Sequence, residues 1–68
     1  MIGVVKSYDP KRGRGALTPD GGGVDVAVFA SELERAGLAD LASGVRLSFD
    51  VKADQALGRR FAVNLQVL

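Results

Sequence analysis

The segment RGRGALTPDGGGVDVAVFA, residues 12 to 30, decides how the chain folds. In its last seven residues the valines at 24, 26 and 28 lie on one face and the intervening residues on the other. This period-2 alternation is typical of a β-strand with one buried face. The preceding PDGGG is a turn sequence, and its closeness to flanking apolar segments favours a hairpin loop over a linker.

Similar turn sequences recur at DPKRG (9 to 13), ASG (42 to 44) and ADQALG (53 to 58), and the segments between them have strand lengths. VRLSFDV (45 to 51) alternates between a core face and a wet face. FAVNLQVL (61 to 68) places positions 61, 63, 65 and 67 on one face, which is again expected to be the core. Several short strands at this spacing predict an all-β sandwich or barrel.

One segment has helical character. In SELERAGLADLASG, Ser31 is a candidate N-cap, Glu34 stands three residues later as a capping box requires, and Gly37 can end the turn. The sequence therefore predicts about one turn of helix, followed by a loop.

Length and composition exclude several classes of site. Sixty-eight residues form one domain, residues 1 to 68, with a core that is only just sufficient. Without cysteine or histidine there is no disulfide bond and no Cys/His metal site, and we expect no cofactor. No carboxylates cluster at metal spacing and no hydroxyl has a base nearby, so the sequence predicts that the protein is not an enzyme.

The apolar stretch before Lys6 is too short for a signal-peptide core, and no run approaches the roughly 20 apolar residues of a membrane span. We therefore expect a cytoplasmic protein without a membrane partner. Net charge is +1, but residues 1 to 18 carry four basic residues against Asp9, and residues 20 to 40 carry five acidic residues against Arg35. The N-terminal end is basic and the middle is acidic.

The order of these pieces resembles that of a cold-shock domain. GVVKSYDPKRGRGALTPDGGGVDVAVFASEL, residues 3 to 33, follows without a gap the family pattern of G-x-V-K-W-F-N, K-G-F-G-F-I, a P-D-x-G loop and D-V-F-V-H-F-S. LASGVRLSFDV (41 to 51) and AVNL (62 to 65) are similar, more loosely, to segments of the family's second half. The resemblance implies an all-β fold, a five-stranded antiparallel β-barrel of the oligonucleotide-binding type (OB-fold) with one short helical turn after strand 3. The strands are expected near residues 2 to 8, 14 to 19, 24 to 30, 45 to 53 and 60 to 67.

The resemblance also implies a function, because cold-shock domains stack the bases of single-stranded nucleic acid on exposed aromatic rings. Five of the seven positions where the family carries these rings hold other residues here: Ser7, Arg14, Ala16, Ala27 and Ala30. Tyr8 and Phe29 keep a ring, and both are expected to face outward.

Basic residues are candidates for phosphate contacts. The match places Lys6 at a family lysine, Arg12 and Arg14 on or beside the second strand, and Arg59 and Arg60 in a loop that often carries lysine. A guanidinium can bind a phosphate or lie flat on a base, although each of these side chains can equally be a solvated surface charge. Phe61 shares a face with core positions but matches a polar family position beside the nucleic-acid groove; facing outward, it is a new stacking residue. The candidate nucleic-acid-binding residues are Lys6, Tyr8, Arg12, Arg14, Phe29, Arg59, Arg60 and Phe61.

Two functional classes remain. The first, favoured because basic residues cluster on the strands with the remaining rings, is non-catalytic binding of single-stranded RNA or DNA with little sequence preference. The second is a degenerate OB-type barrel that acts as a protein-interaction or dimerisation module. Its partner, a protein or a second copy, would approach the small side chains around Ala16, Ala27 and Phe29.

Overall fold

Five strands and one short helix make up the structure, a computed structural model that describes residues 1 to 56 and 58 to 68. In chain order they are β1 (Ile2–Asp9), β2 (Arg14–Pro19), β3 (Val26–Phe29), α1 (Ala30–Arg35), β4 (Arg46–Asp54) and β5 (Arg59–Val67). The strand bounds agree with the predicted ones to within two residues. Within the described residues, no helix has the length and hydropathy needed to cross a membrane.

The strands form one sheet that closes into a ring in the order β1-β2-β3-β5-β4, with β4 also paired to β1. Four pairings are antiparallel, but β3 and β5 run parallel, with Ala27 opposite Phe61. The prediction of an entirely antiparallel sheet is therefore wrong. An odd number of strands cannot alternate in direction all the way round a closed ring, so one neighbouring pair must be parallel. This mixed, mostly β arrangement is consistent with an oligonucleotide-binding fold.

The interior of the ring is aliphatic apart from one phenylalanine. Val26 and Val28 of β3 are fully buried, as the alternation predicts, and Phe49 of β4 lies in the same core. Leu33 of α1 also packs into it. Val24 lies before β3 and is 78% exposed, so the predicted buried face extends one alternation too far toward the N-terminus.

The helix begins one position earlier than its predicted cap. Phe29, in extended conformation, is the N-cap residue and makes no side-chain capping hydrogen bond, so the prediction of a Ser31 cap is wrong. Because β3 runs directly into α1, Ser31 already lies in the first helical turn. The predicted end is confirmed: Gly37 has φ 76°, and the Leu38 N–H donates to the Leu33 carbonyl at 2.8 Å, as in a Schellman motif.

A bulge interrupts β5. Asp50 of β4 lies opposite Val63, yet Ser48 lies opposite Gln66, so β5 holds one extra residue in this interval. Asn64 adopts the left-handed conformation (φ 54°), and its side-chain amide donates to the Asp50 carboxylate at 2.9 Å. An extra residue of this kind reverses the alternation of faces along the strand.

The bulge determines the orientation of Phe61. Ala62 is fully buried before the bulge and Leu65 is buried after it, although the two residues are three positions apart. Phe61 therefore lies on the face opposite Ala62, outside the core, and Val67 is 52% exposed. The core face predicted for positions 61, 63, 65 and 67 is therefore confirmed for Val63 and Leu65, which are buried, and wrong for Phe61 and Val67.

Candidate nucleic-acid interface

The outer faces of β2 and β3 meet in register. Arg14 lies directly opposite Phe29, and Ala16 lies directly opposite Ala27. Directly opposed residues of an antiparallel pair share a face, so the cation and the ring are neighbours on the surface. Arg14 is exposed and Phe29 is half-buried, which agrees with the outward positions predicted for both.

A second ring adjoins Phe29. Phe61 of β5 is in register with Ala27 of β3, and its ring centroid lies 6.3 Å from that of Phe29 with an angle of 61° between the planes. This edge-to-face geometry suits the quadrupoles of two aromatic rings. Of the two orientations that the sequence left open for Phe61, the outward one is present, and it creates a ring pair across the parallel seam.

Lys52 extends this surface onto β4, and sequence reasoning missed it. It is exposed and lies directly opposite Phe61. The ADQALG turn gave the signal for it: pairing the strand residues outward from the two ends of that turn places position 52 opposite position 61. The outer face thus carries a diagonal group of residues that we call the cation–ring strip: Arg14 and Phe29 on β2 and β3, and, two residues along, Phe61 and Lys52 on β5 and β4. With neighbouring strands about 4.8 Å apart, the strip is roughly 14 Å wide.

Arg59 and Arg60 are the first two residues of β5, so their predicted place in a loop is wrong: they lie opposite Asp54 and Ala53 of β4. Both are exposed and line a groove of about 390 Å³. The other residues that line this groove are Val24, Asp25, Ala27 and Gly58. Both arginines therefore line a groove that also contains Ala27, the residue in register with Phe61.

The candidate cations differ in their ion pairing. Salt bridges between described residues involve Lys6 with Asp25 at 2.9 Å and Arg12 with Asp9 at 3.6 Å. Two further salt bridges use Arg35 and Arg46, on α1 and β4. In the part of the chain that the structure describes, no ion pair forms at Arg14, Lys52, Arg59 or Arg60. Among the described residues, the cations without a carboxylate partner are therefore these four, on or next to the strands that carry the rings, and Lys11 in the turn between β1 and β2.

Tyr8 does not stand outward as predicted. Its side chain is half-buried and packs against the core, and it lies opposite Gly15, where an added Cβ would come within 2.9 Å of the ring. The pairing of β1 with β2 shifts between Val5 and Ser7, which adds a residue at Lys6. That extra residue reverses the alternation, so Ser7 takes the outward place and Tyr8 turns inward.

Asp25, the residue before β3, contacts β1 and β2 at the edge of the groove. Its carboxylate accepts hydrogen bonds from the Lys6 ammonium at 2.9 Å and from the Thr18 hydroxyl at 3.1 Å. These two donors, Lys6 foremost, hold the pKa of Asp25 below its ordinary value. Among the described residues no cluster of three or more carboxylates forms a metal site.

Comparison with curated proteins gives relatives along nearly the whole chain. Probable cold shock protein y4cH of Sinorhizobium fredii is 41% identical over 64 residues, which are 94% of this chain and 93% of the relative. The chain belongs to the cold shock protein family. Cold shock protein CspA of Rhizobium meliloti is 39% identical over 64 residues, with the same coverage of both chains. Cold shock protein CspV of Vibrio cholerae is 42% identical over 52 residues, or 76% of this chain and 74% of the relative. No family model matches the chain.

Within this cold shock family member, the outer face is uneven. Ser7, Ala16 and Ala27 lie in register on β1, β2 and β3, and Phe61 and Lys52 continue the same row on β5 and β4. The three family ring positions in this row have therefore become a run of small side chains. In this row, the bulky and charged residues begin at the seam between β3 and β5.

Proposed function

We propose that this cold shock family protein binds single-stranded nucleic acid, RNA or DNA, with little sequence preference and without catalysis. The observation that carries the proposal is the cation–ring strip, in which two adjoining rings lie between Arg14 and Lys52 on four neighbouring strands. Aromatic rings stack on any base, and cations beside them bind phosphate, so the surface suits a strand of any sequence. We further infer that the ring of strands is a barrel of the OB type, with the strip on its outer surface.

The residues of this surface differ in their expected roles. Phe29 and Phe61 stack on bases, Arg14 binds phosphate or lies on a base, and Lys52 binds phosphate. In the adjoining groove, the two arginines at positions 59 and 60 bind phosphates on the same strand. Their location beside the rings supports this division of roles.

Lys6, Arg12 and Tyr8 are secondary candidates. Lys6 and Arg12 must exchange their carboxylate partners, Asp25 and Asp9, for a phosphate. Exposed ion pairs contribute only about 0–1 kcal/mol, so a polyanion can displace them at a modest cost. Tyr8 packs against the core, and we assign it contact with nucleic acid only at its exposed edge.

We expect this protein to bind nucleic acid more weakly than family members that carry the full set of rings. Stacking contributes ~1–3 kcal/mol per base, and five ring positions lack a ring while Phe61 adds one. A tenfold change in affinity corresponds to about 1.4 kcal/mol. Even if the stacking contributions add only in part, the missing rings therefore lower the affinity by several factors of ten. Phosphate contacts therefore provide most of the binding free energy.

The test is a fluorescence titration of the protein into labelled single-stranded oligonucleotides at low and at physiological salt. Phe61→Ala is expected to weaken binding at least about fivefold, because it removes one stacking partner. Val67→Ala, an exposed apolar residue on the same strand, is the matched control and is expected to bind like the parent. Equal binding by all three proteins would overturn the assignment of the ring pair.

The same titration tests the interaction module as the alternative. Undetectable binding at low salt, together with self-association in sedimentation, would support a dimerisation role for the small side chains of β2 and β3. The cytoplasmic location expected from the sequence stays a prediction.

A further inference from the structure

The aromatic rings of the outer face are confined to one seam. Going around the sheet, Ser7, Ala16 and Ala27 offer no ring, and Phe61 is the next residue in the row. Phe29 adjoins Phe61 across the same seam. Among the described residues, a single strand that crosses this face would therefore meet the face of an aromatic ring only where β3 lies against β5, because Tyr8 packs against the core and exposes no more than an edge.

The geometry of the ring pair limits how many bases it can hold. Phe29 and Phe61 are inclined at 61° with their centroids 6.3 Å apart, so a run of parallel stacked bases cannot lie flat on both rings. One base can lie flat on one ring, and a neighbouring base reaches the second ring only if the strand turns between the two. Beyond each ring the surface offers a cation, Arg14 on one side and Lys52 on the other.

We propose that the base-binding site of this protein is short, one or two adjacent bases at the β3–β5 seam, with cations instead of stacking rings on either side. The proposal rests on the proposed function and deepens it. Most of a bound strand is then held through its backbone. The site size is expected at the lower end of the roughly 4–16 nucleotides that OB-type folds cover. The bases outside the seam point into solvent or over the small side chains.

The experiment holds the length and the charge of the ligand constant. Three oligonucleotides of about twelve nucleotides are compared, with zero, two or four adjacent thymidines in the middle and abasic spacers at all other positions. Each competes at low salt with a labelled oligothymidine of the same length. The two-thymidine strand is expected to bind at least about fivefold more tightly than the strand without bases. The four-thymidine strand is expected to gain no more than about threefold over the two-thymidine strand, since it offers about three overlapping positions to a two-base site.

The outcomes separate this proposal from the proposed function. A four-thymidine strand that binds about 25-fold or more above the two-thymidine strand would show two further stacked bases and would overturn the short site while keeping the function. Equal binding of the strands with zero and two thymidines would also overturn the short site, because no base would then be held. Failure of even the full oligothymidine to bind would overturn both.

Variants locate the site. Phe61→Ala is expected to abolish the advantage of two thymidines over none, whereas Val67→Ala is expected to preserve it. Ala16→Phe combined with Ala27→Phe adds rings beside Phe61 and is expected to raise the ratio of four-thymidine to two-thymidine binding. Should that double variant melt at a much lower temperature, Ser7→Phe on β1 supplies a ring on the same row. An unchanged ratio in a folded ring-restoring variant would contradict the assignment of the missing rings as the cause of the short site.

Discussion

Arg14 is the residue whose charge and position contribute most directly to the proposed interface. It is exposed, lies opposite Phe29 and forms no ion pair within the described residues. Its guanidinium can bind phosphate while one face of the group rests on a base. An ammonium at this position would keep the charge but would lose the planar contact.

We therefore predict that Arg14→Ala weakens oligonucleotide binding about threefold to tenfold and that Arg14→Lys weakens it less. Fluorescence titration at low salt measures both. Arg35→Ala is the control, because Arg35 lies on α1 and pairs with Glu32. An Arg14→Ala protein that binds as tightly as the parent would remove Arg14 from the interface.

Asp25 makes stability depend on acid. The Lys6 ammonium, and after it the Thr18 hydroxyl, lower its pKa in the folded state. A carboxyl with a lowered folded-state pKa stabilises the fold above its unfolded pKa, near pH 4, and this stabilisation is lost as pH falls through the folded-state pKa. We predict that Asp25→Asn loses less stability than the parent between pH 7 and about pH 3.

Urea unfolding of both proteins at the two pH values measures this difference. The other carboxyl groups titrate in parent and variant alike, so the difference between the two proteins isolates Asp25. Lys6→Met removes the ammonium that lowers the pKa of Asp25 most, and it is likewise expected to reduce the loss of stability in acid. An identical acid response in parent and Asp25→Asn would show that the Lys6 contact does not stabilise the fold.

At the scale of elements, β3 has a regular ladder and its alternation can be tested directly. Val26 and Val28 are fully buried, whereas Phe29 is a half-buried residue of the outer face. We predict that Val26→Ala and Val28→Ala each destabilise by ~1–3 kcal/mol and that Phe29→Ala destabilises by less, since it leaves no cavity in the core. Thermal and urea melts rank the three variants, and a Phe29→Ala protein that is the least stable would contradict the assigned face.

The same element shows what a sequence can predict. Strand positions, turns and the core residues of β3 and β4 follow from alternation and turn residues, and Gly37 ends α1 because a glycine adopts positive φ without strain. The resemblance to the cold shock family supplied the number of strands and their approximate ranges. These features depend on local pattern, which the sequence contains.

Two side chains of the candidate site could not be placed in this way. The extra residue at Lys6 turned Tyr8 toward the core, and the bulge at Asn64 turned Phe61 outward. A period-2 pattern contains no mark of an extra residue, because a bulge depends on how two strands pair rather than on the residues of one. The parallel contact of β3 with β5 is likewise a consequence of closing five strands into a ring.

For the whole molecule, the distribution of charge matters more than its sum. Net charge is +1, yet four of the five side-chain cations without a carboxylate partner in the described residues lie on or beside the cation–ring strip, and the fifth is Lys11 in the turn after β1. Lys6 pairs with Asp25 at the edge of the groove, and Arg46 pairs with Asp20. A polyanion is therefore attracted to one face of the molecule, over distances limited to about 10 Å at moderate salt.

This distribution predicts how binding responds to salt. If three or four of the cations at positions 14, 52, 59 and 60 contact phosphates, log K is expected to fall against log salt with a slope of about −2 to −3, at ~0.7 per phosphate of a single strand. Titrations at several salt concentrations give the slope. Arg14→Ala is expected to reduce the magnitude of the slope by about 0.7, because one phosphate contact is lost.

Phe61→Ala is expected to lower K by a constant factor at every salt concentration, because a stacking contact releases no counterion. Tight binding with a flat slope would show that the rings rather than the cations dominate, and a slope that changed equally in both variants would mean that the two residues do not act through separate contacts.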